Sequence, residues 1–373
     1  MAKESSLASS HLTFTVISVI LGLVVGAVVL AIAGYNPAAA YWSLLQGVFS
    51  RPRYIFQVII RATPIIITGF SVAFAFRTGL FNIGAEGQFI VGALTAAVVG
   101  YHLPLPPVIH VLVLLMLAMI AGGIWGGIAG FLKARFGIHE VIVTIMLNWI
   151  ALYLNNFFTN VPALVRPESE STHKILLSAR IDFFAGLKQN PDQWREFYEA
   201  NPGLADIFFA PVNLGIFIAV LAGVIMWFVL YRSTLGYELR AVGHSRDAAE
   251  YGGINVSASI LKSMFVAGML GGLAGAVHVS GVSQDVSRLA VMEGYGFDGI
   301  AVALIGGSTS LGCVLAGLLF GALQYGGSRI QRDLGAPTEV INIVIGTIIF
   351  FVAMPKLMRM FLAWRRKRQG GET

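Results

Sequence analysis

Apolar residues along this chain gather into long runs separated by short polar stretches. Runs of about 20 residues cover 12–33, 55–76, 108–132, 141–161, 211–231 and 257–282, with shorter ones at 89–101, 311–325 and 341–356. A helix of that length crosses the ~30 Å hydrocarbon layer and satisfies its own backbone groups there. The pattern predicts an all-α, polytopic helical membrane protein of about ten crossings, some of them short or broken. One transmembrane domain would occupy 1–373.

The short runs are the informative ones. Residues 89–101 make only about 13, too few to span at 1.5 Å per residue. The third crossing therefore borrows from 79–88, which draws Asn82, Glu86 and Gln88 into or near the membrane. Gly79, Gly84 and Gly87 suit a broken or tightly turned backbone there. A second broken element is expected at 294–312, where glycines frame another short apolar segment; it reads as a half-length or re-entrant helix. Between 122 and 130, glycines at small-xxx-small spacing predict close helix packing.

Composition agrees. Hydrophobic residues are 56% of the 373 and charged residues 12%, against ~25% in soluble domains. The +6 formal charge sits at span ends and in the tail around Arg365, Arg366, Lys367 and Arg368, a topology signal rather than a nucleic-acid surface. Cys313 is the single cysteine, so disulfides and cysteine-based metal sites are excluded and a packing role is expected. Lys3 and Ala31-Ile32-Ala33 suit a cleavable signal sequence, but the apolar core is longer than usual, so a retained first span is expected.

Three polar segments stand out. Residues 34–53 read as an amphiphilic interfacial stretch with Tyr41 and Trp42 at headgroup level. Residues 162–210 form an insert too small for a domain with its own large core; a short helix there groups Trp194, Phe197 and Tyr198. Residues 235–256 are polar, carry both signs of charge and predict two short helical turns, 237–242 and 246–251, punctuated by Gly236, Gly243, Gly252 and Gly253. Such an element packs outside the lipid, either as a docking element or on the headgroups. The distribution of Lys and Arg places both termini, the 235–256 loop and the basic 357–373 tail in the cytoplasm, and the insert outside.

There is no G-x-x-x-x-G-K-[ST] loop, HExxH or G-x-S-x-G, so no ATPase or other enzyme site is expected, and the seven scattered histidines have no metal-ligand spacing. The remaining chemistry is intramembrane. A charge at the bilayer centre costs roughly 2.5–3.5 kcal/mol, so Glu86 should face water or a partner, or else cap a helix at the boundary. Arg61, also within a span, has the bland alternative of a structural ion pair. Phe81, Phe89, Trp149 and Tyr153, near Asn82, Gln88, Asn148 and Asn156, suit a solute carrying an aromatic ring and hydroxyls; they equally suit helix packing.

The segment RAVGHSRDAAEYGGINV resembles the cytoplasmic coupling loop of ABC-importer permeases in the ribose, branched-chain amino acid and nucleoside group. The matching positions are Arg240, Ala241, Val242, Gly243, Ala248, Ala249, Glu250, Gly253 and Ile254. Residues 62–93, Tyr35-Asn36-Pro37 and 294–307 resemble nucleoside-uptake permeases of that group, so the likeness covers nearly the whole chain. The resemblance implies ATPase subunits that bind ATP and Mg, no cofactor in this chain, and a second permease subunit as a heterodimer. It also implies an extracytoplasmic solute-binding lipoprotein and an inner-membrane location. A ribose or other small-sugar permease, and more remotely an ion-coupled secondary transporter or channel, stay open as alternatives.

Overall fold

The computed structural model describes residue 17 and residues 19–353. The beginning of the first predicted span and the 357–373 tail lie outside the described residues. The described chain is helical, with three isolated antiparallel bridges and no longer strand. It falls into two compact units: the described parts of 1–51 and 322–373, and Pro52–Gly321.

In the smaller unit, α1 (Val19–Ile32) and α2 (Pro37–Phe49) are bent by 118°. Asn36 explains where α2 begins: its side chain accepts from the backbone N–H of Ala38 and Ala39, with Pro37 at the first helical position. The Tyr41 hydroxyl donates back to the Leu23 carbonyl (2.6 Å), while Trp42 stays exposed.

The larger unit holds α3 (Pro52–Phe76), α4 (Ala85–His102), α5 (Pro107–Phe136) and α6 (Glu140–Phe158). Short helices α7 (Ala185–Gln189), α8 (Pro191–Ala200) and α9 (Pro202–Phe208) lie in the insert. Then come α10 (Gly215–Arg232), α11 (Thr234–His244), α12 (Arg246–Tyr251), α13 (Val256–His278) and α14 (Tyr295–Ile305). Helix α15 (Ser310–Leu334) belongs to this unit as far as Gly321; its remainder and α16 (Thr338–Ala353) belong to the smaller one.

Among the described residues six helices are long and apolar enough to cross a membrane, seven if the bent α1–α2 pair is one span; α14 and α16 are shorter apolar helices. The chain is a polytopic helical membrane protein, as the run pattern predicts.

Helices α5 and α13 cross where both are glycine-lined. A Cβ on Gly268 would sit 2.2 Å from the Gly122 carbonyl oxygen, and one on Gly122 2.5 Å from that of Gly268. The backbones touch, which is the close approach expected of the 122–130 glycines. Cys313 is fully buried.

The insert is no separate domain. It lies as a strap against neighbouring chain ends: Thr172 and Ile175 donate from their backbones to Val286 and Gln284, Leu176 to Gly100, and Ile181 to Ser280. Arg180 grips Asp182 through two 2.8 Å hydrogen bonds. Trp194 and Phe197 do share a face (centroids 5.6 Å apart), and Phe197 meets Phe184 at 5.3 Å.

Candidate functional site

A turn at 77–84 brings α3 into α4. Gly79 takes φ +71, a left-handed conformation that glycine adopts without penalty. Glu86 and Gln88 then stand in the first turns of α4, with Asn82 just before it, and all three are buried. Gly84 and Gly87 keep ordinary φ; they are small because Thr144 and Asn148 of α6 press on them.

Asn82, Gln88 and Ser71 form a closed network. The Asn82 amide donates to the Ser71 hydroxyl (3.1 Å) and to Gln88 Oε1 (3.0 Å), while Gln88 Nε2 donates to Asn82 Oδ1 (3.1 Å). The Ser71 hydroxyl donates to the Ala267 carbonyl at 2.6 Å. Asn148 stitches α6 to the same turn, accepting from Gly87 N–H (2.8 Å) and donating to Ile83 O (3.0 Å). Saturated buried amides of this kind fix the helices they join.

Glu86 does something different. Its carboxylate accepts from the backbone N–H of Gly294 (2.8 Å) and Gly296 (2.6 Å), filling the start of α14. That helix has no capping side chain of its own; it begins at Gly294 with φ +89. The 294–308 segment is thus a short helix whose N-terminal donors are met by a distant acid, satisfying groups that an unpartnered helix start leaves bare.

The segment descending to α14 is pinned throughout. Asn156 of α6 exchanges two 2.8 Å hydrogen bonds with the backbone of Leu289, and Asn155 donates to Ser287 O at 3.0 Å. The insert adds Thr172 to Val286 and an Arg166–Asp285 ion pair at 2.8 Å. Burial pushes the Asp285 carboxyl above the usual range, with Arg166 and Lys174 opposing.

The remaining aromatic expectations divide. Phe89 is buried against Tyr295, and Phe81 stacks on Phe76 at 5.1 Å. Trp149 and Tyr153 are 49% and 63% exposed and do not join the polar network. What the sequence reading missed is the group around Phe89: His278, Glu293 and Tyr295. Glu293 and His278 are polar residues on either side of the 257–282 run's end, a signal no periodicity isolates.

At the other end of α14, Arg77 closes the α3 terminus onto the following turn, donating to Ser308 O (3.0 and 2.8 Å) and Gly307 O (3.4 Å). Gly243 of α11 lies on Arg77: a Cβ there would be 2.2 Å from the Arg77 carbonyl oxygen. The Arg77 guanidinium also lies over the Tyr231 ring, shared with Arg240 at 5.2 Å.

The polar loop is more helical than its glycines suggest. Helix α11 runs through Gly236 and Gly243 to His244, because both are packed against backbone rather than placed at breaks. Helix α12 has the expected bounds, with Ser245 as its N-cap. Val242 and Ala249 are buried and Arg240 and Ala241 half-buried, as is Ile254. Ala248, Glu250 and Gly253 are exposed, and Tyr251 between them is 97% exposed.

A cleft of about 470 Å³ among α3, α5, α10 and α13 is lined by apolar residues such as Phe74, Met116, Leu221 and Met269, so it offers nothing to a polar solute. No cluster with metal-binding geometry exists among the described residues.

Broken apolar helices joined through backbone-bound polar groups, plus a helical loop beyond the spans, make this a multi-pass helical membrane protein. Residues 54–353 match the family described as branched-chain amino acid transport system / permease component, and the chain belongs to it. It is 42% identical to the guanosine ABC transporter permease protein NupP of Bacillus subtilis over 97% of this chain and 98% of that one. It is 34% identical to the nucleoside ABC transporter permease protein NupB of Lactococcus lactis (93% and 92% covered). It is 30% identical to the glucose ABC transporter permease protein TsgB13 of Haloferax volcanii (93% and 88%). No solved structure matches the chain.

Proposed function

We propose that this chain is the permease subunit of an ATP-driven importer for nucleosides, held in the inner membrane with both termini in the cytoplasm. The observation that carries the substrate class is end-to-end likeness to two permeases named for guanosine and nucleosides. ATP and Mg would bind separate ATPase subunits, this chain carrying neither an ATPase site nor a cofactor. A second permease subunit would complete the pore as a heterodimer.

Residues 235–256 are the proposed docking loop, with Ala248, Glu250, Tyr251 and Gly253 toward the ATPase. Arg240, Ala241, Val242, Gly243, Ala249 and Ile254 would hold that loop to the spans. Motion of α12 reaches α11, then Arg77, then the turn at 307–308 and α14, whose far end Glu86 holds to α4. Asn82, Glu86 and Gln88, with Asn148 and Asn156, act here as the hinge of the gate rather than as ligands of a resting solute. Phe81 and Phe89 would support that hinge, and Trp149 and Tyr153 would face a partner surface along the pathway. The 162–210 strap is the surface offered to an extracytoplasmic solute-binding lipoprotein.

The likeness to a glucose permease supports a second reading, a sugar permease. Uptake of labelled guanosine, glucose and ribose by the complete transporter in vesicles separates the two. Guanosine uptake that depends on ATP supports the nucleoside reading; sugar uptake alone overturns it.

A further inference from the structure

Three rings converge beside the start of α14. Tyr295 lies 5.0 Å from both Phe89 and His278, centroid to centroid, and Phe89 and His278 are 5.8 Å apart. Phe89 is buried and backs the group, His278 is largely buried with its side chain 14% exposed, and Glu293 reaches the surface at 34%. Glu293 Oε2 stands 3.9 Å from His278 Nε2. Arg61, ten residues into α3 and exposed, acts electrostatically on His278 and Tyr295. An exposed carboxylate and an exposed guanidinium between membrane helices are costly in lipid, so this face meets water, a solute or a partner.

The charge balance here is unusual for a broken helix. The start of a half-helix ordinarily draws an anion to its free N–H groups. In this chain Glu86 already occupies the donors of Gly294 and Gly296. Glu293 lies within reach of the Glu86 charge, and Asp298, one turn into α14, within reach of Glu86 and Tyr295. Three carboxyl groups thus stand against one guanidinium; burial and the Glu86 charge push the Glu293 carboxyl up to about 7, so the negative surplus is full only above that pH, and no backbone donor at Gly294 or Gly296 is left for a phosphate. Ring faces beside a surface carboxylate suit a flat base and neighbouring hydroxyls.

We propose that Glu293, His278 and Tyr295, backed by Phe89 and flanked by Arg61, form a solute station that admits a neutral, ring-bearing, hydroxylated solute and repels its phosphorylated form. The station rests on the nucleoside reading for its solute and adds a charge filter within the permease itself.

The test uses the complete transporter in proteoliposomes at pH 8, where Glu293 is ionised, with Val291→Cys, an exposed position two residues from Glu293; Cys313 is buried and serves as the unreactive background. Modification by cationic and anionic methanethiosulfonates is compared after normalising each to a free thiol. The cationic reagent should be favoured by about tenfold or more, the range of field focusing in a charged cleft. Adding Glu293→Gln should cut that preference severalfold. Guanosine should slow modification, and guanosine 5′-monophosphate at equal concentration should not.

Equal normalised rates, or a preference unmoved by Glu293→Gln, overturn the filter. Protection by the monophosphate equal to that by guanosine does the same. Guanosine uptake by the unmodified Val291→Cys complex is measured in parallel. Uptake without protection refutes the station while the nucleoside reading stands. Absence of any nucleoside uptake refutes that reading, and the reagent ratio still decides the charge filter.

Discussion

The Glu86 carboxylate accepts from the backbone of Gly294, 208 residues away, at 2.8 Å, and with its other oxygen from Gly296 at 2.6 Å. One acid on α4 thereby starts α14, and the loop at the far end of α14 is held by Arg77.

Glu86→Ala strips the acceptor from the buried Gly296 donor, a loss of roughly 1–3 kcal/mol, and from the part-buried Gly294 donor, which costs less. Guanosine uptake should fall by about tenfold or more, equivalent to ~1.4 kcal/mol of barrier, while subunits still assemble. Glu86→Gln, which keeps one good acceptor, should fall in between. Uptake unchanged in the alanine variant would reduce Glu86 to a boundary residue.

Arg77→Gln removes the bonds to Gly307 and Ser308 and the charge over Tyr231. The ATPase should co-purify normally, yet ATP hydrolysis should lose its coupling to uptake, with transport down severalfold. Equal losses in ATPase binding and transport would mean that Arg77 shapes the docking loop instead of relaying its motion.

Glu250→Lys and Gly253→Asp alter exposed positions of the docking loop, and Tyr251→Ala removes its most exposed ring. Each should weaken ATPase co-purification while membrane insertion stays normal. Gly253 has φ +82 with nothing within 4 Å of a Cβ, so its aspartate meets strain but no collision. Full co-purification and transport in all three would remove 235–256 as the docking surface.

Gly268→Leu places a branched side chain where the Gly122 carbonyl oxygen lies 2.2 Å from a would-be Cβ. The α5–α13 crossing must open, and the cost should exceed the 1–3 kcal/mol typical of overpacking. The purified variant should melt far lower or fail to accumulate. Gly127→Ala, where only Phe265 approaches, at 3.5 Å, is the control expected to fold.

Much was legible in advance from local pattern. Apolar runs located the spans, the deficit at 89–101 drew Asn82, Glu86 and Gln88 into or near the membrane, and glycine spacing announced a close helix approach at 122–130, though not its partner. Breaks in the 235–256 loop were misjudged at Gly236 and Gly243. A glycine reads as a break in sequence, but both are demanded by backbone pressed against them, from Val229 and Leu230 in one case and Arg77 in the other.

By itself the sequence determined that this is a polytopic helical membrane protein with two interrupted segments, because hydrophobic length and glycine position are local quantities. Only the tertiary structure decided that Glu86 completes α14, that Asn82 and Gln88 saturate each other, and that Trp149 and Tyr153 stand apart. Those outcomes depend on which donor meets which acceptor across up to 210 residues of chain. Periodicity along one helix carries no information about its partner's register.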